Sequence, residues 1–195
     1  MAKNLSNIFF KYRSYTPLPF LIVMLIFQRT NLLSLLIGFV ILLIGELFRF
    51  WGVSYAGSET RTTAGVGATY LVVSGAFAHV RNPLYLGNML IYLGIGIMSL
   101  ALFPYLQIFA LLFFYFQYSQ IIKEEEKFLL LKFGDAYKDY LLNVPKLIPK
   151  FTPYKKQITE QPPYNPRAGL KSEIRTLQAI LSVTLILVIL FLVKN

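Results

Sequence analysis

The sequence predicts an all-α integral membrane bundle of about five transmembrane helices. Three observations predict it. The 195 residues are 56% hydrophobic, with a mean hydropathy of +0.58. The apolar residues gather into five stretches, and the basic residues fall almost entirely on one side of them. A water-soluble domain of this size has too little interior to hide that much apolar side chain.

The first stretch, Pro17 to Phe27, is short and needs flanking residues to cross. Leu32 to Trp51 is long enough, since about 20 helical residues cross a hydrocarbon core of roughly 30 Å. Together, 17–51 reads as an N-terminal hairpin. A polar loop rich in Gly, Thr and Ser follows from Gly52 to Asn82. Pro83 to Phe103 and Tyr105 to Ile122 form a second hairpin, broken at Pro104, which has no N–H to donate. Residues 52–150 are expected to form one core around hairpin 83–122. The charged segment Lys123 to Arg175 carries Pro145, Pro149, Pro153, Pro162, Pro163 and Pro166 in its second half. That half, 151–175, is expected to be an extended linker. Thr176 to Val193 is the last spanning stretch, and 176–193 the C-terminal helix. No internal repeat stands out. Met1 to Phe10 has neither a long apolar core nor a small-residue cleavage site, so no cleavable signal peptide is expected.

If all five stretches cross, the N-terminus, the 52–82 loop and the 123–175 segment share one side. That side holds Lys3, Lys11, Arg13, Arg61, Arg81 and eleven basic residues from Lys123 to Arg175, against only Arg29 and Lys194 opposite. The positive-inside rule makes it the cytoplasmic side. The net charge of +10 is better matched to anionic lipid headgroups than to nucleic acid in so apolar a chain. There is no cysteine and one histidine, His79, so thiol chemistry and a multi-histidine metal cage are excluded and no metal is expected.

Two polar clusters lie at the cytoplasmic ends of the second hairpin. Arg81 stands just before Pro83, whose missing N–H suits a first helical turn. Free N–H groups there carry partial positive charge, so a carboxylate or phosphate can dock beside Arg81. The competing reading is a basic residue anchoring the helix to headgroups. Glu124, Glu125 and Glu126 leave the other helix, and three adjacent carboxylates cannot all face solvent. At least one should face inward, to bind a cation, a hydroxyl pair or an amine. The competing reading is a solvated helix end paired with Lys123, Lys127 and Lys132. Gly94 and Gly96 read as helix packing, whereas Gly87 is expected either to pack or to leave room for a ligand. Glu46 and Arg49, at i and i+3, read as an ion pair with a substrate role as the alternative. His79 is expected at the interface, and Gly65-Val66-Gly67 is too weak for a phosphate loop.

Taken together, these blocks resemble the isoprenylcysteine carboxyl methyltransferase family and the related phospholipid methyltransferases. The resemblance rests on Leu71-Val72-Val73-Ser74-Gly75, Phe77, Arg81-Asn82-Pro83-Leu84-Tyr85-Leu86-Gly87, Glu125-Glu126-Lys127-Phe128-Leu129, Phe133-Gly134, Tyr137, Tyr140, Pro145 and Pro149. It covers roughly 62–150. The resemblance implies a cytoplasmic pocket for S-adenosylmethionine (SAM) lined by Thr69, Tyr70, Leu71, Val72, Phe77, Asn82, Pro83, Leu84, Tyr85 and Glu125. It implies Arg81, Glu125 and Tyr85 as the catalytic candidates. The acceptor would be a lipophilic small molecule, a lipid or a lipidated group, and membrane lipids the surroundings. Asn82 stands where the family has histidine, and Phe77 where it has tyrosine. Relatives acting on prenylated cysteine carry an arginine where this chain has Ile121, which weakens the case for a carboxyl acceptor and leaves an amine, a hydroxyl, a thiol or a lipid headgroup open. Two other classes compete. One is an NADPH-dependent membrane sterol-type reductase, which shares the Arg-x-Pro-x-Tyr-x-Gly pattern. The other is a non-catalytic scaffold or lipid-binding protein, which needs no inward carboxylate.

Overall fold

The computed structural model describes residues 2–57, 70–156 and 160–194. Seven α-helices and a short 3-10 turn, with no strand among the described residues, make it all-α as expected. The helices are α1 (Ala2–Tyr12), α2 (Pro17–Ile26), α3 (Leu32–Ala56), α4 (Pro83–Ser99), α5 (Tyr105–Phe133), α6 (Asp135–Asn143) and α7 (Pro166–Lys194); the 3-10 turn is Gly75–Ala78. Among the described residues α3, α5 and α7 are long and apolar enough to cross a membrane, while α2 and α4 are apolar but shorter.

The frame of the bundle is the antiparallel pair α3–α4. Glycines recur every seven residues on both helices: Gly38, Gly45 and Gly52 on one, Gly87 and Gly94 on the other. A Cβ at Gly94 would come 2.6 Å from the Gly38 carbonyl oxygen, and one at Gly45 would come 2.7 Å from that of Gly87. Small residues at helical repeat spacing let two backbones touch where lipid offers no hydrophobic drive for association. Gly87 therefore serves packing: its missing side chain admits Gly45 and the stem of Arg49, which fill the room a ligand would need. Asn31 starts α3 with a capping box, its Oδ1 accepting from the Ser34 N–H at 2.9 Å while the Ser34 hydroxyl accepts from the Asn31 N–H at 3.1 Å. That satisfies two donors a helix start would otherwise strand.

α2, α5 and α7 close around this pair, and α1 lies outside them on α5. α2 packs Met24 against Gly96, and Phe20 lies on Phe109, Phe113 and Phe114 of α5, with ring centroids 5.2 to 6.0 Å apart. With ten residues, α2 is about 15 Å long and does not span a hydrocarbon core alone. α1 lies along α5 through Phe9 on Phe116 and a Ser6 hydroxyl that donates to the Gln120 carbonyl at 3.1 Å. α7 docks on α3 where Gly169 meets Ser54. The extended linker expected over 151–175 ends at Asn165, because Pro166 opens α7. Proline is a helix breaker only in the interior and a good first-turn residue; the apolar pattern from Thr176 marks only the part of α7 that faces lipid.

α5 has 29 residues, about 44 Å at 1.5 Å each, so its acidic end projects past a 30 Å core. A cap sits over this end. After Gly134, α6 buries Tyr137 and Tyr140 against Leu71 and Val73. The chain then folds back along the turn before α4. Lys150 N–H donates to the His79 carbonyl at 3.0 Å and Tyr154 N–H to that of Ala78 at 2.9 Å, while Arg81 N–H donates to Pro145 at 2.9 Å.

Candidate functional site

The two polar blocks, about 40 residues apart in sequence, meet at the mouth of the α4–α5 pair. Successive residues on a helix turn by about 100°, which separates the fates of the three glutamates. Glu124 faces out and pairs with Lys127 at 2.8 Å. Glu125 faces in, and its Oε1 accepts from the Tyr85 hydroxyl at 2.9 Å. Glu126 takes the Arg81 Nε at 3.0 Å. The Tyr85 ring lies on that of Tyr118, centroids 4.7 Å apart.

Arg81 ties the blocks together. Besides Glu126, its Nη1 donates to the carbonyls of Leu141 (3.0 Å) and Val144. One guanidinium thus holds the acidic end of α5 and the end of α6, and its geometry is that of a positioning residue. Asn82 caps neither ring nor helix: its Nδ2 donates to the Lys146 carbonyl at 3.1 Å, and no side chain caps the first turn of α4. Pro83 and Leu84 lie against Gly52 of α3.

The expected contacts before α4 are brought to the same cap. Leu71 is buried with Tyr137 and Tyr140. The Leu71 carbonyl accepts from Gln161 Nε2 at 2.9 Å, and Val73 N–H donates to Gln161 Oε1 at 2.8 Å. Phe77 offers its carbonyl to the Tyr140 hydroxyl at 2.7 Å. Val72 is half-buried and Tyr70 exposed. Thr69, with Arg61 and Gly65-Val66-Gly67, lies outside the described residues. A cavity of about 310 Å³ opens on this cap beside Ser74, Tyr154, Lys155 and Gln161, at the small end of the range for ligand sites. Tyr85 and Glu125 do not line it. His79 is structural: its Nδ1 is 2.8 Å from the Lys150 carbonyl, and its ring lies 5.5 Å from that of Trp51. Burial pushes the hydroxyls of Tyr137 and Tyr140 well above the ordinary tyrosine range. Asp139 is held below the usual carboxylate value, first by the Tyr154 hydroxyl and then by Lys156.

Several residues escaped the sequence reading. Asn88 accepts from Arg49, and Glu173 from α7 takes the same guanidinium at 2.8 and 2.6 Å. The ion pair expected between Glu46 and Arg49 is therefore secondary, at 3.8 Å. Arg13, just after α1, lies with its guanidinium over the Phe10 ring, 4.0 Å from the centroid. A lone acid at the foot of an apolar run was a signal for Glu173; nothing in the sequence marks Arg13.

Residues 36–131 match the model of the isoprenylcysteine carboxyl methyltransferase family. Over that span the chain is similar to this family. The match runs from α3 to the end of α5 and contains Arg81, Tyr85, Glu125 and Glu126. Over 79 residues the chain is 40% identical to a Protein-S-isoprenylcysteine O-methyltransferase of Schizosaccharomyces pombe, covering 40% of this chain and 33% of that one. Over 130 residues it is 30% identical to the Cobalt-zinc-cadmium resistance protein CzcN of Cupriavidus metallidurans, covering 65% and 54%. The chain thus spans about half the length, or less, of these curated relatives. No solved structure matches it.

Proposed function

We propose that this protein transfers a methyl group from SAM to a lipophilic or membrane-resident acceptor, at a site on the cytoplasmic face of a multi-pass bundle. The observation that carries the reading is the joining of the two family blocks by Tyr85–Glu125 at 2.9 Å and Arg81–Glu126 at 3.0 Å. The family match over 36–131 supports the reaction, and the basic residues flanking the cap support the cytoplasmic side.

The donor groups present fit SAM. Glu125 has one oxygen fixed by Tyr85 and takes no other hydrogen bond, so Oε2 is available to ribose hydroxyls or an ammonium group. The uncapped first turn of α4 offers N–H groups to a carboxylate. Tyr85 and Phe77 present aromatic faces suited to adenine or sulfonium. When bound, SAM supplies an electrophilic methyl group on sulfur. The chain's part is alignment and exclusion of water: Arg81 fixes the acidic end of α5 against α6, Tyr85 sets the rotamer of Glu125, and the α6 cap covers the site. With its hydroxyl already donating to Glu125, Tyr85 is placed to orient that carboxylate.

Incubation of the purified protein with methyl-labelled SAM and a lipid extract tests the reading. A labelled, extractable product is expected; labelled SAM recovered intact, with tight binding of NADPH instead, would move the protein to the reductase class.

A further inference from the structure

The bundle interior holds a charge cluster that this reading does not use. Glu46 and Arg49 of α3, Asn88 of α4 and Glu173 of α7 meet between three helices. Arg49 is committed to its partners: Nη2 donates to both oxygens of the fully buried Glu173 at 2.8 and 2.6 Å, and Nη1 donates to Asn88. Glu46 is left over. It is 7% exposed, yet neither of its oxygens takes a hydrogen bond. The Arg49 Nε, 3.8 Å away, also lacks one.

Two carboxylates face one guanidinium, so the ionised cluster carries one surplus negative charge. A buried carboxylate without a donor is strongly disfavoured and calls for a proton or a cation. Metal chemistry is poorly served, because no group of three or more His, Cys, Asp or Glu side chains with metal-binding geometry occurs among the described residues. The neighbours on α3 favour an organic cation. Leu43 and Leu47 are 45% and 57% exposed, on the apolar surface that meets acyl chains. A group reaching Glu46 from that side needs an apolar body and several donors at its tip. An alkylammonium has both; a carboxylate or phosphate would meet the surplus negative charge.

We propose that Glu46, with Arg49 and Glu173 behind it, is the subsite that takes the ammonium group of a lipophilic acceptor. This assignment of acceptor chemistry rests on the methyltransferase reading above. The test is isothermal titration of the purified full chain, in neutral-detergent micelles, with octylammonium, octanol and octanoate. Octylammonium is expected to bind about tenfold more tightly than either of the others. Glu46→Gln should remove that preference, and Glu46→Asp should retain part of it. Equal binding of the three probes to the wild type, or an unchanged preference in Glu46→Gln, overturns the proposal. The wild-type ranking needs no variant and decides the matter even if Glu46→Gln does not fold. A SAM titration of the same sample separates the two failures: SAM binding without amine preference sinks only this subsite, whereas amine preference without SAM binding leaves an ammonium site but sinks the methyltransferase reading and, with it, the acceptor role.

Discussion

Arg81→Met is the perturbation that most clearly separates positioning from chemistry at this site. The side chain is 12% exposed and its partner Glu126 18%, so solvent screens their interaction little. Three bonds go at once: one to Glu126 and two to the carbonyls of Leu141 and Val144. A hydrogen bond to a charged group contributes about 1.5–3 kcal/mol net, and orphaned partners add to the loss. Water reaching the cap recovers part of it, so about 3–5 kcal/mol is expected, in the range for breaking a buried pair. In a double-mutant cycle with Glu126→Leu, the pair itself should account for about 1.5–3 kcal/mol. The lone tryptophan, Trp51, lies against the ring of His79, whose carbonyl and ring nitrogen hold Lys150 of the folded-back segment, so its fluorescence reports release of that segment during denaturant titration in micelles. Proteolysis within 135–156 should accelerate in parallel. A loss below about 1 kcal/mol with unchanged proteolysis would refute the positioning role, since that is no more than a surface pair contributes.

Other perturbations read other parts of the structure. Gly45→Leu should separate α3 from α4 and cost at least about 1–3 kcal/mol of overpacking, measured by thermal unfolding in micelles. Arg49→Met leaves Glu173 buried without its cation and should cost about 3–5 kcal/mol, with Glu173→Leu in the same chain restoring much of it. Ile121→Arg places a cation in the packed cluster of Phe114, Tyr118 and Ile122; loss of folded protein is expected, not a gain of carboxyl methylation. Folding keeps Tyr137 and Tyr140 protonated, because burial raises both. Their contribution is therefore intact below the ordinary tyrosine value of about 10 and is lost as pH rises beyond it. Trp51 fluorescence should show the cap loosening above that pH, in step with the tyrosinate absorbance.

Hydropathy made α3, α4 and α5 legible because each presents an apolar run bounded by polar or proline-bearing segments. Motif spacing made the meeting of Tyr85 and Glu125 legible, because each occupies a defined place in a block that needs the other half. What stayed hidden was tertiary pairing. In sequence Arg49 has Glu46 as its near partner at i−3, yet that contact is the longer one at 3.8 Å, and the partner that takes the guanidinium through both oxygens comes from 124 residues away. Gly87 was ambiguous because small residues serve ligands and packing alike; Gly45, on the facing helix, resolves it. Pro166 looked like the last of a run of breakers, although a first-turn proline is also what a helix start requires. α1, only 11 residues long, gains its stability from Phe9 and Ser6 on α5, contacts that local propensity does not show.

The central claim is that the Arg81–Gly87 and Glu124–Glu126 blocks form one SAM site, and equilibrium binding of SAM to purified wild type and Glu125→Ala tests it most directly. Removing Glu125 removes a charge-assisted contact of about 1.5–3 kcal/mol, so affinity should fall by about ten- to a hundredfold while Trp51 fluorescence stays native. Equal affinity in the two folded proteins, or NADPH bound in place of SAM, would contradict the account.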